Sequence, residues 1–155
     1  MSTADAFTAN VPLPTGPTQD ERTMAVLAHA LQPLGGWGLG WLPALIIYVL
    51  RPESKFVRFH ALEVMLLQAG FFLAFIVAFA LVVFTFITTI VSASAQHSQP
   101  PLTLFVLFPF FWLFVVGSWV FVLVLTVVYS IKAGRGEWAQ YPLFGRWAKR
   151  ILKLA

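Results

Sequence analysis

A chain of 155 residues that is 59% hydrophobic and only 10% charged is not the composition of a soluble domain, where charged residues make up about a quarter. The formal net charge of +4 is carried mainly at 51–58 and 132–153, in clusters that read as membrane-topology determinants rather than as a nucleic-acid footprint. Cysteine is absent, which excludes disulfides, thiolate metal sites and cysteine nucleophiles.

The first 17 residues hold three prolines and no lysine or arginine. They predict a disordered tail and lack the charged and apolar regions of a signal peptide. From residue 18 to 155 the chain reads as a single helical membrane domain. Thr18 and Glu21 have the spacing of a capping box, so a helix starts there. Pro33 and the glycines at 35, 36, 38 and 40 interrupt it, and an apolar segment resumes at Trp41. Residues 19–50 are therefore a kinked or re-entrant first element. A single kinked crossing over 24–50 is the favoured reading; a re-entrant hairpin, or two short tilted helices giving four crossings in all, is the alternative. Gly36 and Gly40 are four apart and suit close helix packing.

After the basic loop 51–58, no Asp, Glu, Lys or Arg occurs between Val64 and Ile131. A polar connection at 92–101 divides this stretch into two segments, each longer than the ~20 residues needed to cross a bilayer. The second crossing is predicted over about 56–91, with Gly70, Ala74 and Ala78 as a small-residue packing stripe. The third is predicted over about 102–131, carrying Pro109 and many Phe and Trp residues. A glycine-punctuated basic turn follows. In the last helix, 142–154, Phe144, Trp147, Ile151 and Leu154 fall on one side. Arg146, Lys149, Arg150 and Lys153 fall on the other, as in a helix that lies among lipid headgroups. The fold class is thus all-α: a membrane bundle of three crossings, four in the alternative, plus an amphipathic interfacial helix. Positive charge places loop 51–58 and the C-terminus in the cytoplasm and loop 92–101 outside, in a bacterial inner membrane.

Few residues could carry chemistry. His29, His60, Glu63 and Gln68 are the polar groups in or beside apolar segments, and such groups are functional candidates because burying them is costly. The pattern His-Ala-Leu recurs at 29–31 and 60–62, so two histidines could face each other across two helices. Such a pair could contact haem or chlorophyll, although no resident cofactor is predicted beyond bound lipid. Glu63 is the only acidic residue near the hydrocarbon region, so neither a carboxylate pair nor a metal cluster is expected, and an enzyme is not. The leading reading is a non-enzymatic accessory or structural subunit in a larger membrane complex. Its partners would be lipids, other membrane subunits or further copies of itself, with no nucleic acid. A channel or transporter and a haem- or pigment-contacting subunit are the alternatives.

Three strings look familiar together: residues 20–30 (DERTMAVLAHA), 56–61 (FVRFHA), and 131–138 (IKAGRGEW) followed by Tyr141, Pro142 and Gly145. In order and spacing the chain resembles small bacterial membrane proteins grouped with the Tic-twenty-like proteins, named for a chloroplast inner-envelope import component. The resemblance implies a core membrane subunit and raises protein translocation as a further alternative. It marks His29, Arg58, His60, Glu63, Gly136, Tyr141 and Pro142 as family-defining, architectural positions.

Overall fold

The computed structural model describes residues 16–154 apart from 98, 100, 101 and 143, and all regular structure among them is helical. The expectations for the tail before residue 16 and for Pro100 and Pro101 lie outside the described residues. Helix α1 spans Gln19–Ala30, a 3-10 turn Gln32–Gly35, α2 Gly36–Leu39, α3 Leu42–Leu50, α4 Lys55–Ala95, α5 Thr103–Gly134 and α6 Phe144–Ile151.

The capping box forms. The Glu21 amide donates to Thr18 Oγ1 at 3.3 Å, and the Thr18 amide donates to Glu21 Oε2 at 2.7 Å. The other Glu21 oxygen, Oε1, accepts from Ser54 Oγ at 2.6 Å. Ser54 is itself the N-cap of α4, accepting from the Val57 amide. Asp20 reaches Arg51 at 2.7 Å. The start of α1 therefore lies beside the start of α4, and the chain between them runs out and back. Residues 24–50 do not form one continuous helix. Pro33 ends the first helix, and Gly36, at φ +56°, makes a turn that a side chain would resist. α1 and α3 have 12 and 9 residues, about 18 and 14 Å of helix, each shorter than the roughly 30 Å hydrocarbon core.

Among the described residues, two helices, α4 and α5, are long and apolar enough to cross a membrane. α4 has 41 residues, about 60 Å, or twice the hydrocarbon thickness. Its two parts have different surroundings. Phe56, Val57, Phe59, Ala61, Val64 and Leu67 are buried, packed beneath α1, α3 and the end of α5. From Phe72 onward α4 exposes Leu73, Val77, Leu81, Phe84 and Ile87, and α5 exposes Phe110, Leu113, Val116 and Val120 in the same way. Phe75 and Phe79 meet Phe111, and Phe71 meets Phe121, at ring separations near 6 Å. The molecule is a compact head at one end of an apolar helical hairpin.

Ser54 carries two of the head's linkages, so Ser54→Ala is expected to cost about 1–2 kcal/mol, the usual value of an N-cap. The Ser54 hydroxyl is also the main reason the Glu21 carboxyl is held below its ordinary 4.5. A lowered folded-state value means this stabilisation is present above about 4.5 and fades as acid protonates the carboxylate. Thermal unfolding in detergent from neutral to acid pH should show a shallower acid loss in Ser54→Ala than in the parent.

A buried histidine–glutamate–tyrosine cluster as the candidate functional site

Four segments converge on one polar cluster inside the head. α1 brings His29 and α4 brings His60 and Glu63, all fully buried. The turn after α5 brings the Glu137 carbonyl, and the segment leading to α6 brings Tyr141. His29 Nδ1 lies 2.9 Å from Tyr141 Oη, His29 Nε2 lies 3.1 Å from His60 Nδ1, and His60 Nε2 lies 3.2 Å from the Glu137 carbonyl.

The direction of this chain follows from its end. A carbonyl only accepts, so His60 Nε2 carries a proton. With one proton per ring, His60 Nδ1 then accepts from His29 Nε2–H, and His29 Nδ1 accepts from the Tyr141 hydroxyl. Burial, with Glu63 and Tyr129 nearby, holds the Tyr141 hydroxyl protonated well above its usual range, which suits a donor. Tyr129 packs against Tyr141, the rings tilted by 53° with centroids 4.1 Å apart, and donates to the Gln140 carbonyl.

Glu63 stands beside this chain. Its Oε1 accepts from the Tyr141 amide at 2.8 Å. Its Oε2 is buried without a hydrogen-bond partner and lies 3.8 Å from His60 Nδ1. Buried carboxylate oxygens are rarely left so.

Local sequence explains the placement. α5 ends in a Schellman motif: the Gly136 amide donates to the Ala133 carbonyl and the Glu137 amide to the Lys132 carbonyl. Gly136 sits at φ +79°, with Arg22 Nε 3.0 Å from where a Cβ would be, so glycine is what lets the chain reverse and deliver the Glu137 carbonyl to His60. Gly145 is just as necessary: a Cβ there would lie 2.6 Å from Glu63 Oε1 and 2.5 Å from Gln140 Cβ. Helix α6 therefore docks through Gly145 and Ala148, both buried.

The remaining residues singled out in the sequence fall around this cluster. Arg58 stacks over the Tyr48 ring and bonds its hydroxyl, and Pro142 is exposed just before α6. Gly40 packs against the Gln32 carbonyl, where a Cβ would lie 2.6 Å away, and Gly70 faces the Phe144 ring. Ala74 is exposed and Ala78 half-buried, so the stripe that starts at Gly70 runs out of the head and along the hairpin. Arg146 and Arg150 are exposed and Lys149 is half-buried on α6, with Lys153 exposed just beyond it. Trp147 and Ile151 are each 55% exposed, so these two residues of the predicted amphipathic face point away from the head, while Phe144 packs inward against Gly70. A second polar pair, Gln32 Nε2 to Gln68 Oε1 at 3.1 Å, joins the 3-10 turn to α4.

The sequence reading missed the grouping of His29, His60 and Glu63, whose ligating atoms lie within 4.8 Å of one another. It dismissed a metal cluster by counting carboxylates alone. The repeated His-Ala-Leu and the downstream Tyr141 were the available signals.

No curated protein and no solved structure matches the chain. The family profile that matches is MamF/MmsF, the magnetosome magnetite crystal formation protein family, over residues 20–148. This overturns the Tic-twenty-like resemblance and the import relationship it implied. Of the strings behind that resemblance, residues 20–30 and 56–61 are stretches of α1 and α4, and residues 131–138 are the end of α5 with the Gly136 reversal. The match covers most of the head and the whole hairpin, and the chain belongs to the magnetosome magnetite crystal formation protein family.

Proposed function

We propose that the protein is a non-enzymatic subunit of the membrane around a growing magnetite crystal, anchored by its helical hairpin and presenting its folded head on one face. The observation that carries this reading is the division of the molecule. The polar and charged contacts gather at one end, while α4 beyond Phe72 and α5 before Val122 expose large apolar side chains on most of their surface. An aqueous protein does not leave so much apolar surface uncovered, and a bilayer covers it without a partner.

In this arrangement the hairpin crosses twice, and Gln96 and His97, just past the end of α4, lie on the face opposite the head. The basic residues of the head, from Arg22 to Lys153, then share the cytoplasmic face, as the distribution of positive charge favours. The short helices α1 and α3 lie in the interface, where exposed Leu34, Ile46 and Leu50 enter the headgroup boundary. The exposed α6 cations add attraction for anionic lipid, about 1 kcal/mol per basic residue near the surface. Accessory packing against other membrane proteins, or against further copies, uses the hairpin faces.

The test is fractionation of magnetite-forming cells that express a tagged chain. The protein should copurify with the membrane of magnetically isolated crystals and resist alkaline carbonate, and its deletion should change crystal size or shape. Release by carbonate, or unchanged crystals after deletion, contradicts the proposal.

A further inference from the structure

We propose that His29, His60 and Glu63 bind one divalent first-row transition-metal ion, of the Fe(II) or Zn(II) class, which clamps α1 to the base of α4. The inference stands on these side chains and does not rest on the membrane role proposed above.

Four features of the cluster point the same way. The first is spacing: ligands around one ion at bond lengths of about 2.0–2.2 Å stand roughly 3.0–3.5 Å apart, and His29 Nε2 and His60 Nδ1 are 3.1 Å apart. The second is Glu63 Oε2, fully buried, unpartnered and 3.8 Å from the same His60 nitrogen. A small rotation about the anchored Oε1 brings it to the ion. The third is the outer shell. Metal-bound histidines nearly always donate their other N–H to an oxygen, and here His60 Nε2 faces the Glu137 carbonyl and His29 Nδ1 faces Tyr141 Oη. The fourth is the support of the carboxylate, held by the Tyr141 amide and by the absence of a side chain at Gly145.

Binding needs little rearrangement. The His29 proton leaves Nε2, which takes the ion, and the ring carries its proton on Nδ1 instead, where Tyr141 Oη accepts it. His60 already presents a bare Nδ1. Glu63 binds as the carboxylate, so any proton it holds passes to solvent. Two imidazoles with one carboxylate select Fe(II) or Zn(II) over Mg(II) and Ca(II), which prefer all-oxygen shells. Three protein ligands leave a further coordination position, but the cluster is closed to solvent, so the ion's role is to fasten the head.

The full-length protein in detergent, stripped with chelator, is titrated with Co(II) as a spectroscopic probe and then challenged with Zn(II) and with anaerobic Fe(II). The expected result is one Co(II) per chain with visible ligand-field absorption, displaced by Zn(II) or Fe(II), and a metal-dependent rise in the unfolding temperature. Glu63→Gln keeps the acceptor for the Tyr141 amide and should fold, yet weaken binding at least tenfold. Tyr141→Phe should weaken it about tenfold, in the range for outer-shell losses. His97→Ala, in the distal turn, should bind as the parent does. A folded parent that takes up no metal, or a Glu63→Gln variant that binds as tightly as the parent, overturns the proposal.

Discussion

His29→Ala is expected to destabilise the metal-depleted protein by about 3–5 kcal/mol, the sum of a large-to-small core loss and the cost of stranding buried polar partners. His29 is fully buried and links two groups that have no water to turn to. Its removal leaves the Tyr141 hydroxyl without its acceptor and His60 Nδ1 without its donor. It also opens a void between α1 and α4, the pair that folds the N-terminal segment back on the hairpin. Tyr141→Phe strands one ring nitrogen and removes little volume, so a smaller loss of about 1–3 kcal/mol is expected. Unfolding in detergent with chelator present should rank the parent above Tyr141→Phe and Tyr141→Phe above His29→Ala. Equal stabilities would mean the buried chain does not hold the head.

Leu81→Arg should have a comparable effect for an unrelated reason. Leu81 is 61% exposed, and at such a position in a water-soluble protein an arginine changes stability by no more than about 0.5 kcal/mol. In the proposed arrangement Leu81 lies near the middle of the hydrocarbon layer, where an arginine costs about 2.5–3.5 kcal/mol of insertion free energy. The expected outcome is a large drop in the carbonate-resistant fraction. Leu34→Arg, at a position 81% exposed at the headgroup boundary of the head, where an arginine still reaches water, should leave insertion nearly unchanged. The contrast separates the hydrocarbon layer from its polar boundary, which surface area alone does not.

The long helices were legible because burial in lipid demands an unbroken apolar run, and the charge-free stretch from Val64 to Ile131 is such a run. The capping box at Thr18 was legible for the opposite reason: its two bonds are local and depend on a spacing of three residues. What could not be read from the chain was the fate of residues 24–50. Their apolar length fits a crossing, and only the contacts of Glu21 with Ser54 and of Asp20 with Arg51 show that the segment turns back. Those contacts join residues more than thirty positions apart, and no local pattern encodes them.

The candidate site divides in the same way. His29 and His60 stood out as polar residues in apolar surroundings, and the repeat hinted at their meeting. Tyr141 was marked only by its place in a motif. Gly145 was marked likewise, and its function depends on Glu63, eighty-two positions earlier, so nothing near it in sequence reveals the close approach. α6 was read as an amphipathic helix lying among lipid headgroups, and what its pattern of large residues did not reveal is that it docks over Glu63 through the small residues Gly145 and Ala148.

The most direct test of the account is the sidedness of the chain. It contains no cysteine, so single cysteines can be placed at will and labelled in sealed, oriented membrane vesicles with a membrane-impermeant maleimide. The account predicts that Gln19→Cys, Glu53→Cys and Arg146→Cys react from one face and Gln96→Cys from the other only. Labelling of Gln19→Cys from the face opposite Glu53→Cys would restore a crossing within residues 24–50, and labelling of Gln96→Cys from the same face as Glu53→Cys would contradict the membrane hairpin itself.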